Sequence, residues 1–387
     1  MLSVDLHQPA VIDSPPSSSG PSNRLAEKFL ELRERLGISS FMVGGVDELA
    51  PVVERLAGTE ALPLGTLGEM TALWPTGTTA ETDKHNERIE RLNTASLRRV
   101  IEPDAEVTGS LSLEQVLPDD LLSIRDLGLE LTPAQKAVLA REELASITRF
   151  GILFEAVLMS GFAYHLALSR DVTDPRFVYA LHEIGEETRH SRLFVRIVDQ
   201  LKPQQRNPFE SRLAVRVRSR LLPLLLRRPA TLDAFVLAGE EIPDLFQKMA
   251  AEHPDTDPFV RDVSRYHRME EARHLAFART TVGEHYRVAT WSDRFAVRWI
   301  VPLGIVGMFD LMVQPLVYRT VGLPALKTWL AVRRQPSRIA LRQQCARSVL
   351  AALLDAGVMK KGRVNRAWQQ VAGVDRWGAP AAAAPEV

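Results

Sequence analysis

An all-α helix bundle with additional peripheral helices is the architecture predicted for this chain, on three observations. Four long stretches between Thr132 and Arg287 lack the two-residue alternation of strands, and three of them open on a polar cap followed by proline. Two of the four carry the same Glu-x-x-His text, Glu187 to His190 and Glu271 to His274. The 387 residues are 45% hydrophobic, enough to bury one large core or two modest ones.

Residues 1–25, with Pro15, Pro16 and Ser17 to Ser19, read as a disordered tail. Residues 26–80 mix a short helical pattern (Leu25, Phe29, Leu32) with Gly/Pro/Thr-rich connections ending near Pro75, Thr76 and Gly77, and form an extension of unassigned role. The bundle core is expected over 81–290. It opens on Leu-spaced charged text from Asp83 to about Arg99. Thr132-Pro133 then announces a long helix through Glu155 toward His165. Asp174-Pro175 opens a second, running past His190 to about Leu201, with Pro203 beyond it. A third follows Pro229 with Thr231 as its expected cap, and a fourth follows Asp257-Pro258. Residues 291–374 should pack as further helices on the core, and 375–387, rich in Ala and Pro, form a second loose tail.

Lys and Arg together equal Asp and Glu at 48 each, so no net field draws in nucleic acid or an anionic surface. The single cysteine, Cys345, excludes an internal disulfide and thiolate metal chemistry, and fits a reducing, cytoplasmic setting. The most apolar window, Trp299 to Tyr318, is interrupted by Pro302, Asp310, Gln314 and Pro315. It therefore reads as a buried helix pair and not as a membrane span.

Any metal must be held by His, Glu and Asp. His267-x-x-x-Glu271-x-x-His274 places three such side chains on one helix face, and Glu187 shares a face with His190. With nine histidines in 387 residues, a second His at a fixed offset makes the longer motif about forty times rarer than a lone Glu-x-x-His. Di-metal carboxylate bundles combine two Glu-x-x-His helices with one Glu from each of two others. Glu155 stands alone in an apolar run, where an ionised carboxylate needs a cation nearby. The third helix offers Glu240 and Glu241, about 100° apart, so only one faces the metals; Glu240 is the choice, with Glu241 as alternative. Pro243 removes the backbone bond to Gly239 and should distort the helix beside the site. Glu183, Glu186, Asp233, Asp244 and Glu270 are candidate partners for the ligand imidazoles, with a surface position the default for each.

The order Glu155, Glu187-x-x-His190, Glu240, His267-x-x-x-Glu271-x-x-His274 resembles the p-aminobenzoate N-oxygenase (AurF-type) family of di-iron arylamine oxygenases. That family's hallmark is an extra histidine one turn before the last Glu-x-x-His. The likeness runs from about Asn86 to Arg287 and includes Leu92-Asn93-Thr94-Ala95-Ser96. It implies a ferritin-like, ribonucleotide-reductase-like di-iron bundle holding two iron ions. It also implies O2 as co-substrate, an external electron donor or redox partner protein, a small-molecule substrate such as an amine, and possible homodimers. The family's substrate-binding positions have no recognisable counterparts in this chain.

Four carboxylates balance two ferrous ions. Oxidation to the diferric state adds two positive charges that a peroxide dianion can neutralise, so N-oxygenation of an amine through a peroxo-diferric intermediate is the expected chemistry. The same ligands suit Mn(II) or Zn(II), and iron rests on the resemblance. Two competitors remain. A ferritin-like ferroxidase or metal-handling protein would share the ligands but needs no organic pocket, and a helical interaction protein would leave Glu155, Glu187 and Glu271 exposed.

Overall fold

The structure, a computed structural model, describes residues 80–98 and 100–381. The expected N-terminal tail, nearly all of the extension and the end of the C-terminal tail lie outside those residues. Helix α1 (Ala80–Arg98) and the single turn α2 (Pro103–Glu106) lead into α3 (Pro133–Leu168), α4 (Pro175–Leu201), α5 (Arg212–Leu226), α6 (Pro229–Glu252) and α7 (Pro258–Val288). Five more helices follow: α8 (Trp291–Phe295), α9 (Val301–Leu311), α10 (Ala325–Arg333), α11 (Pro336–Asp355) and α12 (Arg366–Ala372). No strand occurs among the described residues.

Local capping sets most of the long helix starts. Thr132 and Gln135 form a reciprocal capping box, each side chain accepting from the other's backbone N–H. Asp174 accepts from the Arg176 N–H at 2.7 Å and Asp257 from the Phe259 N–H at 2.9 Å, each followed by proline at the first helical position. The start of α6 differs from expectation. Thr231 lies inside the helix, and Asp293 of α8 instead accepts from the N–H groups of Ala230 and Thr231. A carboxylate 62 residues away in sequence thus caps this helix. Pro243 does not break α6, which continues to Glu252.

Helices α3, α4, α6 and α7 form the bundle, with α3 packed along α4 and α6 along α7. Two apolar clusters lie along them. Leu139, Leu193, Ile197, Val263 and Tyr266 belong to one, and Leu158, Tyr179, Leu237, Phe277 and Val282 to the other. In α3, α4 and α7 the chain crosses from one cluster to the other through a short polar stretch at Glu155, at Glu187 to His190, and at His267 to His274. Helix α1 is fastened where α4 begins and α7 ends. Arg176 makes two 2.8 Å bonds to the Glu284 carboxylate and a third, of 2.6 Å, to Asn86, while Asn93 donates to the Pro175 carbonyl.

Two helical runs, Pro133–Leu168 and Trp291–Val321, are long and apolar enough by length and composition to cross a membrane. In the second, Pro302 sits in the first turn of α9 and Asp310 near its end, so both interrupt the apolar text without interrupting the helix. The buried Asp310 carboxylate accepts from Arg333 at 2.7 Å, and α9 packs on the bundle through Ile305 and Phe309. In the first, Glu142, Glu143 and Glu155 are buried in the protein.

Candidate metal centre

All seven side chains singled out by spacing are buried and converge between the four helices. They form two groups, each small enough to surround a cation: Glu155, His190 and His267 in one, Glu187, Glu240, Glu271 and His274 in the other. Two carboxylates reach across both. Glu187 lies 3.2 Å from His190 Nδ1 through one oxygen and 3.1 Å from His274 Nδ1 through the other. Glu271 lies 3.1 Å from His190 Nδ1 and 3.2 Å from His267 Nε2 through Oε1, and 2.9 Å from His274 Nδ1 through Oε2. Buried oxygens of Glu187, Glu240 and Glu271 have no hydrogen-bond partner. Unpaired buried acceptors facing imidazole nitrogens suit divalent cations, since four carboxylates packed together otherwise repel.

Of the adjacent pair on α6, Glu240 enters the site, while Glu241 turns toward Arg279 on α7. Gly239, the residue before it, has Phe154 resting on its backbone; a Cβ there would fall 1.6 Å from the ring. This close approach sets Glu155 of α3 opposite Glu240 of α6.

A second ring of groups orients the imidazoles. His190 Nε2 meets Glu270 Oε2 at 2.9 Å, and His274 Nε2 meets Glu186 Oε2 at 2.8 Å. Each carboxylate comes from the residue before the other helix's motif glutamate, so the two helices hold each other's histidines. Arg273 Nη2 lies 2.9 Å from Glu186 and 3.5 Å from Glu270, and Arg189 lies 3.6 Å from Glu270. The full text is therefore Glu-Glu-x-Arg-His twice, at 186–190 and 270–274; Glu186 and Glu270 are among the partners expected from the sequence, while Arg189 and Arg273 were visible in the repeat but not singled out. His267 is held separately: its Nδ1 meets Gln247 Oε1 at 2.9 Å, its ring stacks on Phe194 and its Nε2 turns inward. Ser191 donates to Glu155 at 2.5 Å. These contacts fix which ring nitrogen is free to bind a cation.

Surface positions expected for the partner carboxylates are overturned for four of the five. Glu183, Glu186, Asp233 and Glu270 are buried, because their neighbours on facing helices are basic or part of the site; Asp233 pairs with His285 at 2.7 Å. Asp244 stays partly exposed beside Arg268.

Proton binding follows from this packing. Burial lifts Glu155 to about 7 against its bond from His267, and burial plus repulsion from Glu271 and Glu187 raises Glu240 well above the carboxylate range. Burial opposes charge on His190 and His274 as well, yet the surrounding carboxylates hold both well above the usual imidazole value. Burial is likewise overridden at Glu186, held down at about 2 by His274 and Arg273. The raised groups favour the proton-bound fold: stabilisation by the two histidines is complete below about 6.5 and fades as pH rises, and the penalty at Glu155 grows from 4.5 to about 7. Metal must displace protons from His190 and His274. Melting of the metal-free protein should therefore fall between pH 5.5 and 8, while the rise in Tm on adding Mn(II) or Fe(II) should grow over the same interval. A metal-induced rise that shrinks with pH would contradict this linkage.

An apolar cavity of about 110 Å³ opens on the centre at Glu155, Glu240 and His267. Its walls include Leu144, Ile147, Phe150, Phe154, Ile242, Phe246, Val263 and Met308.

The chain is 29% identical over 175 residues to the uncharacterized protein Rv0885 of Mycobacterium tuberculosis (strain ATCC 25618 / H37Rv) and to the uncharacterized protein Mb0909 of Mycobacterium bovis. These matches take in 44% of this chain and 50% of each relative, so the chain spans about half the length of the curated relatives it matches. The model of a family described as p-aminobenzoate N-oxygenase AurF matches residues 82–357. That match passes Arg287, where the likeness in the sequence stops, and takes in α8 to α11. The chain belongs to the p-aminobenzoate N-oxygenase AurF family, whose fold is a di-iron helical bundle.

Proposed function

We propose that this protein is a di-iron, O2-dependent oxygenase that N-oxygenates a small, uncharged aromatic or apolar amine with electrons from an external donor. One observation carries the reading: the apolar cavity meets the candidate metal centre at Glu155, Glu240 and His267, a site for an organic molecule that a ferroxidase does not need. Burial of Glu155, Glu187 and Glu271 counts against a mere interaction surface.

Glu155, His190 and His267 would hold one iron and Glu240 and His274 the other, with Glu187 and Glu271 shared between them. Such a pair, reduced by the external donor, would supply the redox chemistry for O2-dependent oxidation of the amine nitrogen. The protein's own part is placement and exclusion. Phe150, Phe154 and Phe246 flank the substrate and keep bulk water from the centre. Thr148, Ser264 and Gln247 are the uncharged polar groups in the wall, able to orient an amine or hydroxyl. Gln247 also accepts from His267, so substrate and ligand orientation meet in one side chain.

Among the described lining residues none is lysine or arginine. A carboxylate pushed into such walls loses its hydration without a counter-charge, which disfavours p-aminobenzoate itself. The test is turnover of an amine panel by reduced, iron-loaded protein with O2. Neutral arylamines such as the methyl ester of p-aminobenzoate should exceed the free acid by about 10-fold or more in kcat/KM, roughly 1.4 kcal/mol of discrimination. Preference for the free acid would overturn the substrate class, and iron oxidation without oxidised amine across the panel would overturn the oxygenase reading.

A further inference from the structure

Helix α5 (Arg212–Leu226) has no buried residue although it is amphipathic. At about 100° per residue its sequence divides into three stripes. Ala214, Arg218, Leu222, Leu225 and Leu226 are the half-buried positions, on the side facing the body of the protein; Arg218 there donates to the Phe209 carbonyl. Beside that stripe, Leu213, Val217, Leu221 and Leu224 share one face and are 69%, 46%, 57% and 49% exposed. Beyond these, Arg212, Arg216, Arg220 and Arg227 form the outer edge. From 212 to 228 there are six arginines and no acidic residue, in a chain whose net charge is zero.

We propose that α5 docks the protein on an anionic lipid surface, its leucine stripe entering the boundary of the acyl layer and its arginines meeting the headgroups. A basic helix lying in the plane of the interface needs an apolar face and a cationic flank side by side, and α5 presents both outward. Its surroundings point the same way. Asp293 of α8 ties Trp291 and Phe295, 81% and 50% exposed, to the start of α6 just past the end of α5. Exposed aromatic rings near such a helix end favour the headgroup layer. An acidic protein partner would account for the arginines but not for an exposed leucine stripe beside them.

The experiment is co-flotation of the full chain with phosphatidylcholine vesicles, with and without about one-third phosphatidylglycerol. The chain should float only with the anionic vesicles and be released near 0.5 M salt, where screening shortens to a few ångströms, about one-third of its length at low salt. Arg216→Gln/Arg220→Gln/Arg227→Gln should weaken partitioning about 100-fold. Leu213→Ser/Leu221→Ser should weaken it as well, with metal content unchanged in both variants. Equal binding to both vesicle types, no binding to either, or variants that bind like the parent would overturn the proposal. A leucine variant that instead splits an oligomer, without any vesicle binding by the parent, would assign this face to protein contact.

Discussion

Glu271→Ala should leave the protein unable to retain a pair of metal ions. Its two oxygens face both halves of the site, at 3.1–3.2 Å from His190 and His267 and 2.9 Å from His274, so no other single substitution except at Glu187 withdraws negative charge from both groups. Metal per chain should drop from two to one or none. Amine oxidation should fall well beyond the 10–100-fold typical of losing a group that only orients a ligand. Glu271→Gln keeps the shape but not the charge and should behave nearly as badly, whereas Glu186→Gln and Glu270→Gln should stay within that 10–100-fold range, since each touches a histidine from behind. Full metal content in Glu271→Ala would remove this residue from the site.

Removing metal should be the second large effect. A ligand that binds only the folded state stabilises it by about 2.7 kcal/mol at one hundred times its dissociation constant, so two ions contribute roughly 5 kcal/mol. For a folded region of this size each kcal/mol moves Tm by about 2–4 °C, so chelation should lower Tm by on the order of 10–20 °C. Buried carboxylates left facing one another supply the driving force: Glu155 and Glu240 are already pushed toward protonation by burial. Calorimetry of chelated and reloaded protein at pH 7 checks it, and equal melting temperatures would speak against a built-in cation site.

Much of this arrangement was legible because it is local. Caps at Thr132, Asp174 and Asp257 act within one turn of their own helices, and the spacing of His267, Glu271 and His274 fixes a shared face whatever the helix packs against. Glu240 was the choice from the sequence with Glu241 as alternative, and what separates the two is the facing helix, where Arg279 draws Glu241 away. Which distant groups serve as partners was left undecided for the same reason. Glu186 and Glu270 look like surface glutamates until α4 and α7 are set side by side, and the cap of α6 is an aspartate on α8. Helix α5 and the cavity walls are equally products of assembly: exposure of a leucine, or the absence of a cation from a described wall, is a property of neighbours and not of the residue itself.

The most direct measurement is anomalous diffraction at the iron edge from crystals of iron-loaded protein. Two peaks per chain are predicted, one among Glu155, His190 and His267, the other among Glu187, Glu240, Glu271 and His274. A single peak, or iron bound elsewhere with these seven side chains still paired to one another, would contradict the account.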